Sequence, residues 1–244
     1  LLQQFASVAP GSFIANDALV FDQYGDPYSS VDWRNNWANS VFDFAGSSWD
    51  SHVAPVPPNQ AGDSPGGVAV TRCHIATAKH YPRGGGFVFH RRTGESMFFL
   101  ITGQADTPSF DTRVYRIDPC LPSDFAVYAL PNAADPGLTT QLAGVPYVNN
   151  HYNVIDGIRR ISITQISGVS GGLIWGMYNN QMPSLMQVFA QVGDSGSPSY
   201  IYVDGELVVL STFTYGGYGG GGPFFGSAPF QLELQSAIDS IPPL

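Results

Sequence analysis

A glycine-framed serine has the setting in this sequence that points most directly to chemistry. The stretch reads Gly193-Asp194-Ser195-Gly196-Ser197-Pro198, and apolar runs lie on both sides of it. A serine hydroxyl becomes a nucleophile at neutral pH only when a base accepts its proton and fixed N–H donors stabilise the oxyanion. Because Gly193 lacks a Cβ atom, its N–H group and that of Ser195 can both point at one substrate oxygen. We therefore predict Ser195 as a nucleophile and Gly193 as part of an oxyanion hole.

The base that such a serine requires is sought among the five histidines. The run Ile75-Ala76-Thr77-Ala78 predicts a strand that delivers His80 at its end, beside Lys79. Four histidines lack such a setting, namely His52, His74, His90 and His151. His74 and His80 do not have a usual zinc spacing, so we expect no metal site there. His80 is therefore the predicted base.

A carboxylate should complete the group, because it fixes the tautomer of the imidazole and stabilises the charged form of the ring. Asp124 begins the run Phe125-Ala126-Val127-Tyr128-Ala129-Leu130, which has the pattern of a buried strand. Asp111, in Pro108-Ser109-Phe110-Asp111, also precedes a predicted strand. We favour Asp124 as the third member and keep Asp111 as the alternative.

The elements that must position these residues are predicted to be strands, because apolar alternation and turn residues at hairpin spacing give two sets of six. The first set covers 67–71, 74–79, 86–92, 97–103, 113–118 and 125–130. After a polar connection at 131–150, the second set covers 158–166, 172–178, 185–190, 199–203, 206–214 and 223–225. The pattern predicts an all-β fold of two six-stranded antiparallel β-barrels.

The two ends of the chain depart from this strand pattern. Four residues near the start fall at helical spacing and predict a short helix: Trp33, Trp37, Val41 and Phe44. Near the end, one helical face carries Leu234, Ile238 and Ile241. Pro242 follows them, which predicts a C-terminal helix docked on the second barrel. We divide the chain into an N-terminal extension packed on the barrels (1–66), a first barrel (67–135) and a second barrel with the helix (136–244).

Composition narrows the classes of function. The 244 residues include 28 glycines and only 12% charged residues, which suits a large, turn-rich β domain. A net charge of -9 makes nucleic acid and anionic membrane poor partners. Lys79 is the only lysine, and a polar surface short of lysine favours an extracellular protein. Because no apolar run approaches the roughly 18 residues of a membrane span, and the first residues do not resemble a signal peptide, we expect a mature, secreted chain.

Three segments together resemble the motifs of chymotrypsin-like serine proteases in order and spacing. They read Ala76-Thr77-Ala78-Lys79-His80, Asp124-Phe125-Ala126-Val127 and Gly193-Asp194-Ser195-Gly196. The resemblance covers about residues 67–241 and implies a double β-barrel of the chymotrypsin type, with the site between the barrels. The longer stretch 193–198, followed by Tyr200-Ile201-Tyr202, is more similar to the protease domains of immunoglobulin-A-protease-type autotransporters. In that branch the aspartate motif resembles residues 108–111.

The resemblance implies a secreted serine endopeptidase that acts on protein or peptide substrates through an acyl-enzyme, without a cofactor and as a monomer. The sequence departs from many animal relatives at two places. Tyr81 stands where they have a disulfide cysteine, and Leu1-Leu2 does not look like their Ile-Val activation terminus. Asp194, which relatives pair with a buried cation, must therefore find another partner here.

The resemblance also implies the position of a specificity pocket. Its floor, six residues before the nucleophile, would be Phe189, and its wall would be Thr214-Tyr215-Gly216. An uncharged floor disfavours a basic side chain, since an unpaired cation there would lose its hydration, so we expect cleavage after small or medium apolar residues. Ala190 and Val192 fit this interpretation. The alternative is that Phe189 points into the core of the second barrel.

Two other functions are alternatives to an endopeptidase. The fold could serve as a catalytically silent binding or scaffold module, although no member of the group is visibly missing. A nucleotide enzyme is disfavoured because the glycine runs lack the Lys-Ser/Thr of a phosphate loop.

The two cysteines are expected to be free thiols. If Asp124 lies beside His80, Cys73 is about 23 Å back along its strand at roughly 3.3 Å per residue, whereas Cys120 is only four residues from Asp124. A disulfide needs Cα atoms within about 7 Å. The exception is a site in which Asp111 is the acid and the strands pair differently.

Overall fold

The computed structural model describes residues 5–7, 9, 15–22, 31–50, 66–151, 159–177, 186, 193–216 and 220–243, and these residues form two antiparallel sheets and several helices. The first sheet is a closed barrel in the order β1-β2-β3-β6-β5-β4. Its strands are β1 (Ser47–Asp50), β2 (Gly67–Ala69), β3 (His74–Ala78), β4 (Gly86–His90), β5 (Ser96–Asp106) and β6 (Thr112–Asp118).

The second sheet has six antiparallel strands in the order β11-β10-β7-β8-β9-β12. Its strands are β7 (Pro146–His151), β8 (Arg160–Ser170), β9 (Leu173–Met177), β10 (Pro198–Val203), β11 (Glu206–Thr212) and β12 (Gly221–Pro223). The two edge strands approach each other, because the N–H of Thr214 donates to the carbonyl of Gly221 at 2.8 Å and that of Phe225 to Leu210 at 2.8 Å. The predicted all-β fold of two six-stranded antiparallel units is therefore confirmed, with one closed barrel and one half-barrel.

The helices with described bounds that accompany the sheets are α1 (Trp37–Val41), α2 (Leu138–Leu142) and α3 (Ala228–Ser240). A short 3₁₀ helix spans Ala15–Ala18. The side chain of Asn36 caps α1 by accepting from the N–H of Asn39, and Ser227 caps α3 by accepting from the N–H of Phe230. None of the helices among these described residues is long and apolar enough to cross a membrane.

The predicted C-terminal helix is confirmed, but α3 contacts both sheets rather than the second alone. Phe230 stacks on Phe225, just after β12, with ring centroids 4.4 Å apart. The helix also packs against β5 and β6 of the first barrel. Beyond its end, the carbonyl of Ile241 accepts from Nε2 of His74 at 2.9 Å and that of Pro242 from Arg116 at 2.8 Å.

Several strand boundaries differ from the prediction because buried polar residues interrupt the apolar pattern. β1 lies within the predicted extension, and β7, apart from its last residue His151, lies within the predicted polar connection. Asn149, Asn150 and His151 of β7 are all buried. Residues 125–130 form no strand and contribute only the bridge between Ala129 and Val208. The strand predicted at 185–190 falls outside the described residues except for Met186.

Hydrogen bonds between hydroxyl and amide groups join the two sheets through β1. The hydroxyl of Ser47 lies 2.5 Å from that of Tyr200 on β10 and accepts from the amide of Asn150 on β7 at 3.1 Å. Burial raises the pKa of Tyr128, so its hydroxyl stays protonated and donates to the carbonyl of Asp43 at 2.8 Å. The N-terminal segment is thus part of the contact between the two units.

The expectation of two free thiols is wrong, because Cys73 and Cys120 form a disulfide with Cα atoms 4.3 Å apart. Since β6 runs antiparallel to β3 with His74 opposite Arg116, the chain that leaves β6 returns to the start of β3. Leu121 N–H donates to the carbonyl of Arg72 at 2.7 Å, which holds the two segments side by side. The expectation failed because it assumed that Asp124 lies beside His80.

Candidate active site

The register between β3 and β6 brings His80 and Asp111 together. Ala78 at the end of β3 lies opposite Thr112 at the start of β6, so the residues just outside these two strands are neighbours. The N–H of His80 donates to Oδ1 of Asp111 at 2.9 Å, and Nδ1 of His80 lies 2.5 Å from Oδ2. Because a carboxylate only accepts, Nδ1 carries the proton and Nε2 of the neutral ring is left as an acceptor.

Ser195 lies on the other side of the imidazole. Its Oγ is 2.9 Å from Nε2 of His80, within hydrogen-bond distance of the free ring nitrogen. Ser195 is buried, whereas the side chain of His80 is 42% exposed. The three groups therefore form a continuous chain in which the serine hydroxyl can donate to the imidazole and the imidazole donates to the carboxylate.

Two glycines shape the turn that carries Ser195. Gly193 has φ 104° and Gly196 has φ 87°, in the region that side chains with a Cβ atom rarely adopt. A Cβ atom on Gly196 would lie 2.1 Å from Oγ1 of Thr77 and 2.6 Å from the carbonyl of Gly66. The serine turn of the second unit therefore rests directly on β3, the strand that leads to His80.

The loop from β5 to β6 that carries Asp111 is held by contacts on both sides. The hydroxyl of Thr107 donates to the carbonyl of Thr112 at 2.9 Å, and Nζ of Lys79 donates to the carbonyl of Thr107 at 3.1 Å. Glu233 of α3 accepts from the N–H of Ser109 at 2.9 Å. These contacts fix the loop between the strand that carries His80 and the C-terminal helix.

An ion pair closes the base of this loop. Arg113 donates to both carboxylate oxygens of Asp106, at 2.5 and 2.9 Å. The hydrogen bond from Arg113 holds the pKa of Asp106 below its usual value, while burial opposes this change and the positive charges of Arg113 and Lys79 add to it. Asp106 is therefore ionised at neutral pH and pairs the last residue of β5 with the second residue of β6.

The prediction that Asp124 is the partner of His80 is wrong. The carboxylate of Asp124 pairs with Arg91 and is 47% exposed, and the guanidinium of Arg91 also lies over the ring of Phe125. The segment around Asp124 stays near the start of β3, because Arg72 donates to the carbonyl of Pro122 at 2.6 Å. The alternative, Asp111, is the acid that contacts His80, and the motif at 108–111 was the sequence signal for it.

The predicted pocket residues are only partly within the described structure. Phe189, Ala190 and Val192 lie outside the described residues. Thr214, Tyr215 and Gly216 follow β11, and the N–H groups of Thr214 and Tyr215 both donate to the carbonyl of Gly221, at 2.8 and 3.0 Å. The side chain of Tyr215 is exposed. The role of these residues in specificity stays a prediction.

Sequence reasoning missed the partner of Asp194. Nδ1 of His151 lies 3.1 Å from Oδ2 of Asp194, and Nε2 of His151 lies 2.6 Å from the hydroxyl of Ser162. His151 ends β7, a strand whose other residues the prediction had treated as a connection. No sequence signal linked a histidine in that segment to an aspartate far along the chain.

The described residues contain no group of three or more His, Cys, Asp or Glu side chains that could hold a metal ion. The chain matches no known family model and no curated protein. The closed barrel and half-barrel are compatible with the chymotrypsin-like double-barrel fold.

Proposed function

We propose that this protein is a serine endopeptidase in which Ser195, His80 and Asp111 form the catalytic group. The observation that carries the proposal is that one imidazole lies within hydrogen-bond distance of both a serine hydroxyl and a carboxylate, at 2.9 and 2.5 Å. The serine is also framed by two glycines at positive φ, Gly193 and Gly196. These features fit acyl transfer through a nucleophile and a general base.

In the proposed reaction, Oγ of Ser195 attacks the carbonyl carbon of a peptide bond while Nε2 of His80 takes its proton. Asp111 accepts the Nδ1 hydrogen bond, which keeps the ring in the required tautomer and stabilises it as it becomes charged. The N–H groups of Gly193 and Ser195 hold the oxyanion. His80 then donates the proton to the leaving amine, and water hydrolyses the acyl-enzyme with His80 again as base.

Two other parts of the proposal concern location and substrate. Disulfides persist mainly in oxidising compartments, so the Cys73–Cys120 bond supports a secreted or cell-surface protein. The substrate would be a protein or peptide, with an uncharged small or medium apolar residue before the cut bond. That preference rests on the uncharged residue at position 189 and on the resemblance stated for the sequence.

The test is covalent labelling of the folded protein by a fluorophosphonate, which reacts with activated serines. We expect labelling of the wild type and none of Ser195→Ala. Asp111→Asn should lower turnover about 10⁴-fold, because the asparagine amide no longer holds the His80 imidazole in the tautomer with its proton on Nδ1. The matched variant Asp124→Asn should keep wild-type activity. Peptides cut by the wild type should carry an uncharged residue before the scissile bond.

Three outcomes would count against these assignments. Labelling of Ser195→Ala at the wild-type rate would exclude Ser195 as the nucleophile. A folded wild type that is neither labelled nor able to cut peptides would favour the silent scaffold. Dominant cleavage after Arg, Lys, Asp or Glu would refute the apolar pocket.

A further inference from the structure

A second histidine and aspartate, His151 and Asp194, form a buried pair next to the nucleophile Ser195. The side chains of His151 and Asp194 are only 4% and 3% exposed, and Nδ1 lies 3.1 Å from Oδ2. Nε2 of the same ring lies 2.6 Å from the hydroxyl of Ser162, which is completely buried on β8. The ring is therefore fixed at both nitrogens.

The chemistry of the pair sets the direction of its hydrogen bonds. Asp194 accepts through its carboxylate, so Nδ1 of His151 is the donor. The hydroxyl of Ser162 can either donate to Nε2 or accept from it, so both hydrogen bonds persist whether the ring is neutral or charged. A carboxylate this deeply buried costs several kcal/mol in lost hydration unless hydrogen bonds and opposite charge offset the loss. The Nδ1–H of His151 is placed to supply one such hydrogen bond.

Asp194 lies between the two residues whose N–H groups form the proposed oxyanion hole. The N–H of Ser195 belongs to the peptide bond that Asp194 begins, so a rotation at Asp194 turns that donor directly. Gly193 at φ 104° has no Cβ atom to restrict it. The carbonyl of Asp194 also accepts from the N–H of Ser197 at 2.9 Å, so its backbone and its side chain are both held.

We propose that His151 is a positioning residue for the oxyanion hole, which acts by anchoring the Asp194 side chain and thereby the peptide groups of the Gly193-Asp194-Ser195 turn. The inference rests on the proposed function and extends it to a residue on β7. The pair gives this chain an internal partner for Asp194, contributed by a neighbouring strand of the same sheet.

The test compares His151→Phe, His151→Gln and a matched control, His74→Phe. His74 is also buried and also has a partner at each ring nitrogen, Thr71 at 2.8 Å and Ile241 at 2.9 Å, but it lies at the far end of β3. The assay is the maximal rate of fluorophosphonate labelling at Ser195 and the concentration that gives half of that rate, measured together with the melting temperature.

We expect His151→Phe to lower the maximal labelling rate by about 10²- to 10³-fold, the effect of losing one oxyanion donor, with an unchanged half-saturating concentration. His151→Gln should retain most of the rate, because its amide can still donate to Asp194. His74→Phe should melt at a lower temperature and keep the wild-type labelling rate. These results separate positioning from general stability.

A second variant addresses the penalty of a buried carboxylate that has lost its His151 partner. In His151→Phe/Asp194→Leu the charge is gone, so the melting temperature should recover towards the wild type while labelling stays slow. Recovery of both would mean that the pair is merely structural and would overturn the inference. A wild-type labelling rate in a folded His151→Phe would overturn it as well.

A measurement that does not depend on enzyme activity tests the positioning role of His151 separately from the proposed function. The backbone amide resonances of Gly193 and Ser195 should shift in His151→Phe and stay unchanged in His74→Phe. If the wild type is not labelled at all, the proposed function fails, and these resonances still decide whether His151 positions the turn. Unshifted resonances in His151→Phe would refute the positioning role.

Discussion

Removal of the Cys73–Cys120 disulfide should cost a large part of the stability of this protein. The bond closes a segment with a sequence separation of 47, which includes β3 to β6 and therefore most of the first barrel. The chain-entropy model for a loop of that length gives about 14 cal/mol/K, or about 4 kcal/mol at 25 °C. A typical domain is stable by only about 5–15 kcal/mol, so the loss should be easy to measure.

The cost should arise mainly in the unfolded chain, because the folded segments are held together by other contacts. Ile117 N–H donates to the carbonyl of Cys73 at 2.9 Å and Leu121 N–H to that of Arg72 at 2.7 Å, so the native backbone can keep its position without the bond. Cys73→Ser/Cys120→Ser should therefore fold, and its Ser195 should be labelled at the wild-type rate, since the bond lies at the end of β3 away from His80.

The assay is urea unfolding followed by the fluorescence of the four tryptophans, without reductant. We expect the free energy of unfolding to fall by about 4 kcal/mol and the dependence on urea to steepen, because the unfolded chain without the cross-link exposes more surface. Wild type in dithiothreitol should behave like the variant. A change below about 1 kcal/mol, or free sulfhydryls in the denatured, unreduced wild type, would refute the reasoning.

Two other predictions concern a buried histidine and the serine turn. Burial, with a smaller contribution from the charge of Arg159, lowers the pKa of His90 from 6.5 to about 4, so protonation favours the unfolded chain. The stability contributed by neutral His90 is complete above pH 6.5 and is lost as the pH falls towards 4, by up to about 3 kcal/mol. The urea midpoints of wild type and His90→Gln, plotted against pH, should therefore diverge in this range, and parallel plots would contradict the assignment. Gly196→Ala should abolish fluorophosphonate labelling, because its Cβ would lie 2.1 Å from Oγ1 of Thr77. Gly205→Ala is the matched control, since Gly205 has φ 91° but no heavy atom within 4 Å of an added Cβ. This variant should lose about 1–2 kcal/mol of stability and keep labelling. Equal labelling in both variants would show that the close packing of Gly196 on β3 does not matter.

The sequence by itself determined the features that depend on local chemistry. Glycines around Ser195 indicated a turn with unusual backbone angles, and the structure has Gly193 and Gly196 at positive φ. A short apolar run before His80 indicated a strand end, and β3 ends at Ala78. Apolar alternation predicted most strands of both antiparallel units, though not β1 or β7, and the spacing of Leu234 and Ile238 predicted the C-terminal helix. Each of these follows from residues within a few positions of one another.

Only the tertiary structure decided which distant residues meet. Asp111 rather than Asp124 reaches His80 because β3 pairs with β6 in one particular register, and the same pairing brings Cys120 back to Cys73. His151 is buried beside Asp194 because β7 enters the second sheet next to β10, the strand that follows the serine turn. Strand pairing joins segments far apart in the chain, and the local apolar pattern of a strand carries little information about its neighbour or its register. The partners of the proposed catalytic and oxyanion groups were therefore set by the fold.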